Sequence, residues 1–399
     1  MLAAPFAVDP LWDAVTGASV PYARLVRPPA YLLGAPLFGA WDTLSLLTLS
    51  QHYAVLVTLV ALWVVLRIAA PSKPWPFAAR AARELALTTA ALAGLLAFYA
   101  AGMLLPRPMV GLEIESADLV AIDFHSHTRY SHDAWSLFTP ERNRMWHEAG
   151  GFDVAYVTDH YTWRGFDESD ATNPERVGER TAMLVGAEIR IHLRPTNILG
   201  DRERYQFALD ADSTYMEPDS LRARFARDRR PPTLLYTMPG GLEWVVPFSE
   251  YEPSGVLAIE LNDGSPRGLE QVRRERRQIL ALADSANLAV IGAANLHGWG
   301  RTVASWSVMA IPGWQEMTPA QLGDAIEADL HDKRRQAVTV VERRMPYHHG
   351  SPLGVVLTVP WVVLEHFRML GPGERVSWLL WLGVLAALGA MRTRRAAAA

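Results

Sequence analysis

Apolar positions fall along this chain in two patterns. Residues 44–66 (LSLLTLSQHYAVLVTLVALWVVL) and 84–105 (ELALTTAALAGLLAFYAAGMLL) are near-continuous apolar runs, each long enough to cross a bilayer as a helix. The first is broken only by Gln51 and His52, and the second is rich in small residues that favour helix packing. Two shorter runs, 353–367 and 377–391, predict one or two more membrane helices across 353–391. Residues 1–43 form an N-terminal segment whose last part, YLLGAPLFGAWDT (31–43), suits the membrane interface.

Residues 118–345 follow the other pattern. Short apolar runs recur, each ending in a burst of polar residues: LVAIDFHSH (119–127), FDVAYVTDH (152–160), TAMLVGAEIRIH (181–192), TLLYTMPGG (233–241), GVLAIELND (255–263) and LAVIGAANLHG (288–298). Helical stretches lie between them, at 140–149 and 267–286. Short buried strands joined by crossover helices predict an α/β domain. Polar residues gathered at the carboxyl ends of successive strands favour a barrel with its site at one mouth.

Composition adds a few limits. The formal net charge is -4, which leaves no global basic footprint for nucleic acid, and the Arg-rich run Arg273–Arg277 is punctuated by Glu like the wet face of a helix. The absence of cysteine excludes thiolate ligands, disulfides and Cys nucleophiles. Of 14 tryptophans, Trp63, Trp75, Trp361 and Trp378 sit near the ends of apolar segments, as interfacial anchors do. Arg67, Lys73, Arg80 and Arg83 crowd the connection between the first two runs and place it in the cytoplasm by the positive-inside rule. The central domain of this cell-membrane protein is then expected outside the cytoplasm. Arg392, Arg394 and Arg395 carry the competing sign if both C-terminal segments cross.

The chemistry is concentrated at the strand ends. His125 and His127 are two apart on a strand, so both imidazoles face one way and can grip one divalent ion. Strand parity sends Asp123 to the same face. Asp133 adds a carboxylate after a Ser/His turn. His160, Glu188 and His297 close three later strands, and Asp159 stands ready to orient a neighbouring imidazole. His192, four residues past Glu188, is a weaker candidate, and His331, His348 and His349 read as solvent-facing.

In this order the segments resemble the PHP family, the polymerase and histidinol phosphatase domain. The carriers are HSHTRYSHDA at 125–134, VTDH at 157–160, GAE at 186–188 and NLH at 295–297. The resemblance spans about residues 118–310. It implies a distorted (β/α)7 barrel, here flanked by transmembrane helices, with up to three clustered Mn, Fe or Zn ions and phosphoester hydrolysis as the activity. It also implies that Asp133, His160 and His297 hold one ion, and that His125, His127, Glu188 and a final acidic residue hold another. That last position is Asn295, whose amide oxygen is a neutral, weaker ligand. Two further family histidines are replaced by Asn197 and Met238. Thioether suits these metals poorly, so one or two divalent ions are expected.

The activity so implied is that of a metal-dependent phosphoesterase acting on a phosphomonoester or phosphodiester with a metal-activated water. Its substrate would be a phosphorylated small molecule or a lipid-linked phosphoester at the bilayer, and nucleic acid is not expected. Arg129 and Tyr130 on the loop after the His pair, with Arg190 and Arg194 beside Glu188, are candidates for phosphate contact. Trp299, two residues from His297, suits the mouth, whereas Trp306 and Trp314 suit packing. The alternative is a tethered PHP-like domain that binds metal or ligand without chemistry, to which the Asn197 and Met238 replacements point. No protein partner is indicated by the sequence.

Overall fold

The computed structural model describes residues 7–70, 76–191, 194–210, 223, 232–238, 242, 255–345 and 352–398. His192, His348, His349 and Trp75 lie outside these residues. The chain divides into two compact units, one of Met1–Val8, Pro28–Pro108 and Met345–Ala399, the other of Asp9–Arg27 and Met109–Arg344.

The first unit is helical. Thr48 opens the helix Leu49–Ala69 with a capping box closed by Gln51. This helix, Phe77–Leu104 and the stretch Pro372–Arg395 are three helices long and apolar enough to cross a membrane, and only 6% of the most apolar window of each is buried. Their apolar side chains thus face outward, as suits association with a bilayer. The helix Pro352–Met369, which carries Pro360 inside it, is not among the three. This unit holds a buried ion pair: Arg107 Nη1 is 2.8 Å from Asp42 Oδ1 with both side chains buried, and Tyr31 donates to the other Asp42 oxygen at 3.0 Å.

The second unit is mixed α/β. Its strands are β1 (Leu11–Asp13), β2 (Ala23–Val26), β3 (Gly111–Ile114), β4 (Leu119–Ser126), β5 (Val154–Val157), β6 (Ala182–Ile191), β7 (Arg194–Leu199), β8 (Thr233–Tyr236), β9 (Val256–Asn262), β10 (Ala289–Gly292), β11 (Ser305–Ala310) and β12 (Thr339–Arg343). Ten of them form one sheet in the order β1-β12-β11-β4-β5-β6-β7-β8-β9-β10, and β2 pairs with β3 apart from it. Pairing is parallel through β4-β5-β6 and β8-β9-β10, while β7 runs antiparallel between these blocks and β11, β12 and β1 form an antiparallel edge. The resemblance implies a distorted (β/α)7 barrel; the observed sheet is mixed, with ten strands and antiparallel members at β7 and at the β11, β12 and β1 edge.

The sheet curls into a half-barrel. Gly292 at the end of β10 both donates to and accepts from the Ser307 hydroxyl of β11, each at 2.9 Å. Beyond β10 the chain runs parallel to β4 through a bridge of Leu296 with Ser126, and the amide of His127 donates to the Leu296 carbonyl at 2.8 Å. This return brings the segment carrying His297 beside the His125–His127 pair.

Helices cover the sheet where their caps and apolar stripes predict. Ser265 caps Pro266–Ser285, whose Leu269, Val272, Ile279 and Ala283 are buried. Thr139 caps Pro140–Gly150. Gly151 ends that helix at φ 78, and a Cβ there would lie 2.1 Å from the Leu112 carbonyl oxygen. Only glycine fits this left-handed position at such close approach. Trp146 and Phe152 then pack with Trp306 in a core cluster against the sheet.

Candidate metal centre

The cluster is assembled at strand ends. His125 and His127 come from the end of β4, Glu188 from β6, and His160 from the segment after β5, tied to Glu188 by a parallel bridge. His297 follows β10, and Asp133 lies on the loop after β4. Nε2 of His125 is 2.9 Å from Nε2 of His127 and 3.2 Å from Glu188 Oε2. His127 Nε2 and His160 Nδ1 each lie 3.4 Å from that same carboxylate oxygen. Asp133 Oδ2 is 3.3 Å from Nε2 of both His160 and His297. The His127 ring stacks between those of His297 and His160, at 4.2 and 4.7 Å. Ligand atoms within each of two sets, His125–His127–Glu188 and His127–His160–His297, lie within 4.8 Å of one another.

Hydrogen-bond accounting shows what these atoms require. Ser131 donates to Asp159 at 3.0 Å and accepts from the His160 amide at 3.1 Å, so it accepts Nδ1–H of His127 at 2.9 Å. His125 Nδ1 donates to Glu260 at 2.6 Å, and His297 Nδ1 donates to the Asn295 carbonyl at 2.9 Å. The network thereby places a proton on Nδ1 of all three imidazoles. All three Nε2 atoms face one another and the carboxylates of Glu188 and Asp133, those of His127 and His297 as lone pairs. Such an arrangement calls for positive charge among these atoms, from a proton on His125 or from a metal ion, and acceptors behind each imidazole are the usual support of metal-bound histidine.

Electrostatics agree. Burial holds His127 down at about 3, so it is neutral at ordinary pH. Burial also opposes a charge on His125, but Glu260 and Glu188 outweigh it and pull His125 well above its usual range. Burial raises Glu260 to about 7 against the pull of His125, so this pair retains a proton near neutrality. Glu188 is buried, yet His125 and His127 hold it well below the ordinary carboxylate range. Burial would raise Asp133, but His297, His160 and His127 keep it low. The pocket therefore demands positive charge, and a divalent ion with imidazole and carboxylate ligands fits it.

The three positions at which the resemblance implies other ligands have distinct surroundings. Asn295 has a left-handed φ of 42 and donates its amide Nδ2 to Asp263 Oδ2 at 3.2 Å, which leaves Oδ1 buried without a hydrogen-bond partner. An orphaned amide oxygen is a fit ligand atom for a cation. Asn197 pairs across the sheet with Glu188, donates Nδ2 to the Phe124 carbonyl at 3.1 Å, and likewise leaves a buried Oδ1 unpartnered. Met238 is buried, and its amide donates to Glu260 Oε2 at 2.9 Å.

The remaining predicted residues sit around this centre. Asp123 does not share the face of His125. Four residues of β4, Asp123 to Ser126, span only the three from Ala155 to Val157 of β5, and this bulge breaks strand parity. The Asp123 carboxylate instead meets buried His147 at 2.8 Å and accepts the amides of His125 and Ala294. Asp159 accepts both the amide and the hydroxyl of Thr128 at 2.6 Å, so it acts on His127 through Ser131. Gly165 makes room for it, since a Cβ there would come within 1.9 Å of Asp159 Oδ2. Arg129 pairs with Glu168 at 2.8 Å on the surface, and Arg190 is exposed. His331 is half-buried and contacts the Thr233 hydroxyl at 3.3 Å, rather than facing solvent alone.

Sequence reasoning passed over Glu260, Ser131, His147 and Asp263. The signal for Glu260 was present: one carboxylate inside the apolar strand VLAIELN resembles the Asp of LVAIDFHS. A lone buried acid in a strand must face a partner.

Comparison with solved structures finds distant likenesses. PsfC from Pseudomonas syringae aligns over 63% of this chain and 98% of its own at 16% identity and a TM-score of 0.39. A two-domain protein from Bacteroides vulgatus, containing a predicted PHP-like metal-dependent phosphoesterase, aligns over 57% of this chain and 66% of its own at 14% identity and 0.35. The lesion-specific endonuclease PfuEndoQ from Pyrococcus furiosus aligns over 53% and 56% at 12% identity and 0.39. No family model matches the chain, and no curated protein matches it.

Proposed function

We propose that this chain is a metal-dependent phosphoesterase of PHP type, tethered to a membrane by helices within 44–105 and 353–391, with the domain of 118–345 outside the cytoplasm. The observation that carries the reading is the set of three Nδ1–H imidazoles turning Nε2 toward Glu188 and Asp133. The motif order HSHT, VTDH, GAE and NLH supports the same assignment, and the curled sheet is read as a PHP barrel with an antiparallel edge. One or two Mn, Fe or Zn ions are assigned, to His125, His127, Glu188 and Asn295 and to Asp133, His160 and His297.

When bound, the ions supply a Lewis acid for the phosphoryl oxygens and lower the pKa of the attacking water. The protein's own groups do the rest. Glu260 and Ser131 fix the tautomers of His125 and His127. Asp159 holds the Thr128–Ser131 loop in place. Asp133, 44% exposed on its side chain, is the ligand of this set most open to solvent.

The second reading, a domain that binds metal without chemistry, is favoured by the amide of Asn197 and the thioether of Met238 at two ligand positions. One experiment separates them. Detergent-purified protein is assayed for metal by plasma mass spectrometry and for release of phosphate from a panel of mono- and diesters, beside His125→Ala. Metal with turnover, both lost in the variant, supports the enzyme; metal without turnover on any ester supports the second reading. Spheroplast proteolysis tests sidedness: a central domain protected until the membrane is broken would place it inside.

A further inference from the structure

Two tryptophans stand two residues beyond two of the assigned ligands: Trp135 after Asp133 and Trp299 after His297. The loops that carry them are joined, since the Trp135 amide donates to the His297 carbonyl at 2.9 Å. The indoles stack at 5.7 Å between ring centroids with 22° between planes. Trp299 remains 43% exposed, and the Arg142 guanidinium lies 5.9 Å over the Trp135 ring. The base of this platform is fixed. Trp146 Nε1 donates to the Gly300 carbonyl at 3.3 Å, and Phe138 packs so closely on Gly298 (φ 89) that a Cβ there would lie 2.6 Å away.

A large aromatic left open to water, stacked and anchored beside a polar centre, offers a flat face on which a planar group can stack. A phosphoryl group held near Asp133 and His297 would direct one ester substituent over these indoles. We propose that the substrate is a phosphoester whose alcohol carries a planar aromatic ring, and that this ring stacks on Trp299. The proposal rests on the phosphoesterase reading for its phosphoryl group and adds the class of alcohol.

The test uses full-length, Mn-loaded protein in detergent and three non-hydrolysable probes: benzylphosphonate, cyclohexylmethylphosphonate and methylphosphonate. The first two share a carbon skeleton and differ in planarity. Calorimetric titration should show benzylphosphonate binding about fivefold tighter than cyclohexylmethylphosphonate, the range expected of aromatic stacking. Trp299→Leu should abolish that preference with metal content unchanged, and Trp299→Phe should keep most of it. Equal affinity for the two rings, a preference that survives in Trp299→Leu, or no binding of any probe overturns the proposal. Turnover is scored separately on the ester panel with benzyl phosphate included: ring preference without turnover of any ester would sink the enzyme reading and leave the stacking site, and turnover without ring preference would do the reverse.

Discussion

Glu260 Oε1 lies 2.6 Å from Nδ1 of His125, and its second oxygen accepts the Met238 amide. The contact fixes which nitrogen of His125 faces the centre. Glu260→Gln keeps the shape but places an amide NH₂ against one of these two donors. It should weaken metal binding by about 10–100-fold, the usual cost of losing such a support. Metal titration of the apo-protein measures this, with circular dichroism confirming the fold. Unchanged affinity would mean that the neighbouring strands alone orient His125.

Gly165 faces Asp159 with no room to spare. In Gly165→Ala the new methyl must displace the Asp159 carboxylate, which releases Thr128 and Ser131 and with them the tautomer of His127. Overpacking of this kind costs about 1–3 kcal/mol. A lowered melting temperature together with weaker metal binding is expected. A drop in stability with intact metal affinity would show that the loop does not depend on Asp159.

Asp153 gives a pH dependence away from the centre. Burial raises its carboxyl to about 6, against the hydrogen bond it accepts from the Ala121 amide at 2.8 Å. Unfolded, it would ionise near 3.9. Between these values the folded state binds the extra proton, so stability is highest below about pH 4 on this account and falls as pH rises toward 6. Above that the deficit is constant, about 3 kcal/mol. Asp153→Asn keeps an acceptor for the amide and should raise the melting temperature at pH 7 but not at pH 4. Equal effects at both values would exclude titration as the cause.

How far the sequence revealed this site depends on the residue. His125, His127, His160, Glu188 and His297 each end or follow an apolar run, and the fold brings these run ends together. Asp123 was misplaced because strand parity assumes a regular ladder, and one extra residue in β4 turns it toward His147. Strand β7 was legible only as PTNILG without direction, and β11, β12 and the distant β1 carry no polar burst to mark them. Glu260 escaped notice since its chemistry lies in a partner 135 residues away.

Asn295 offers the last test. It occupies the position where the PHP resemblance implies a final acidic ligand, yet its amide donates to Asp263, itself buried. In Asn295→Asp two carboxylates would meet there, and like charges in contact raise the pKa of one of them. The single substitution should therefore leave metal affinity within about threefold of the original, the restored charge being offset by repulsion. Asp263→Asn removes the repulsion and keeps the acceptor that Ser265 uses at 2.8 Å. The double variant Asn295→Asp with Asp263→Asn should then bind metal more tightly than either single variant, with a coupling of about 1 kcal/mol or more in a double-mutant cycle. An additive cycle would show that Asp263 does not govern the ligand at position 295.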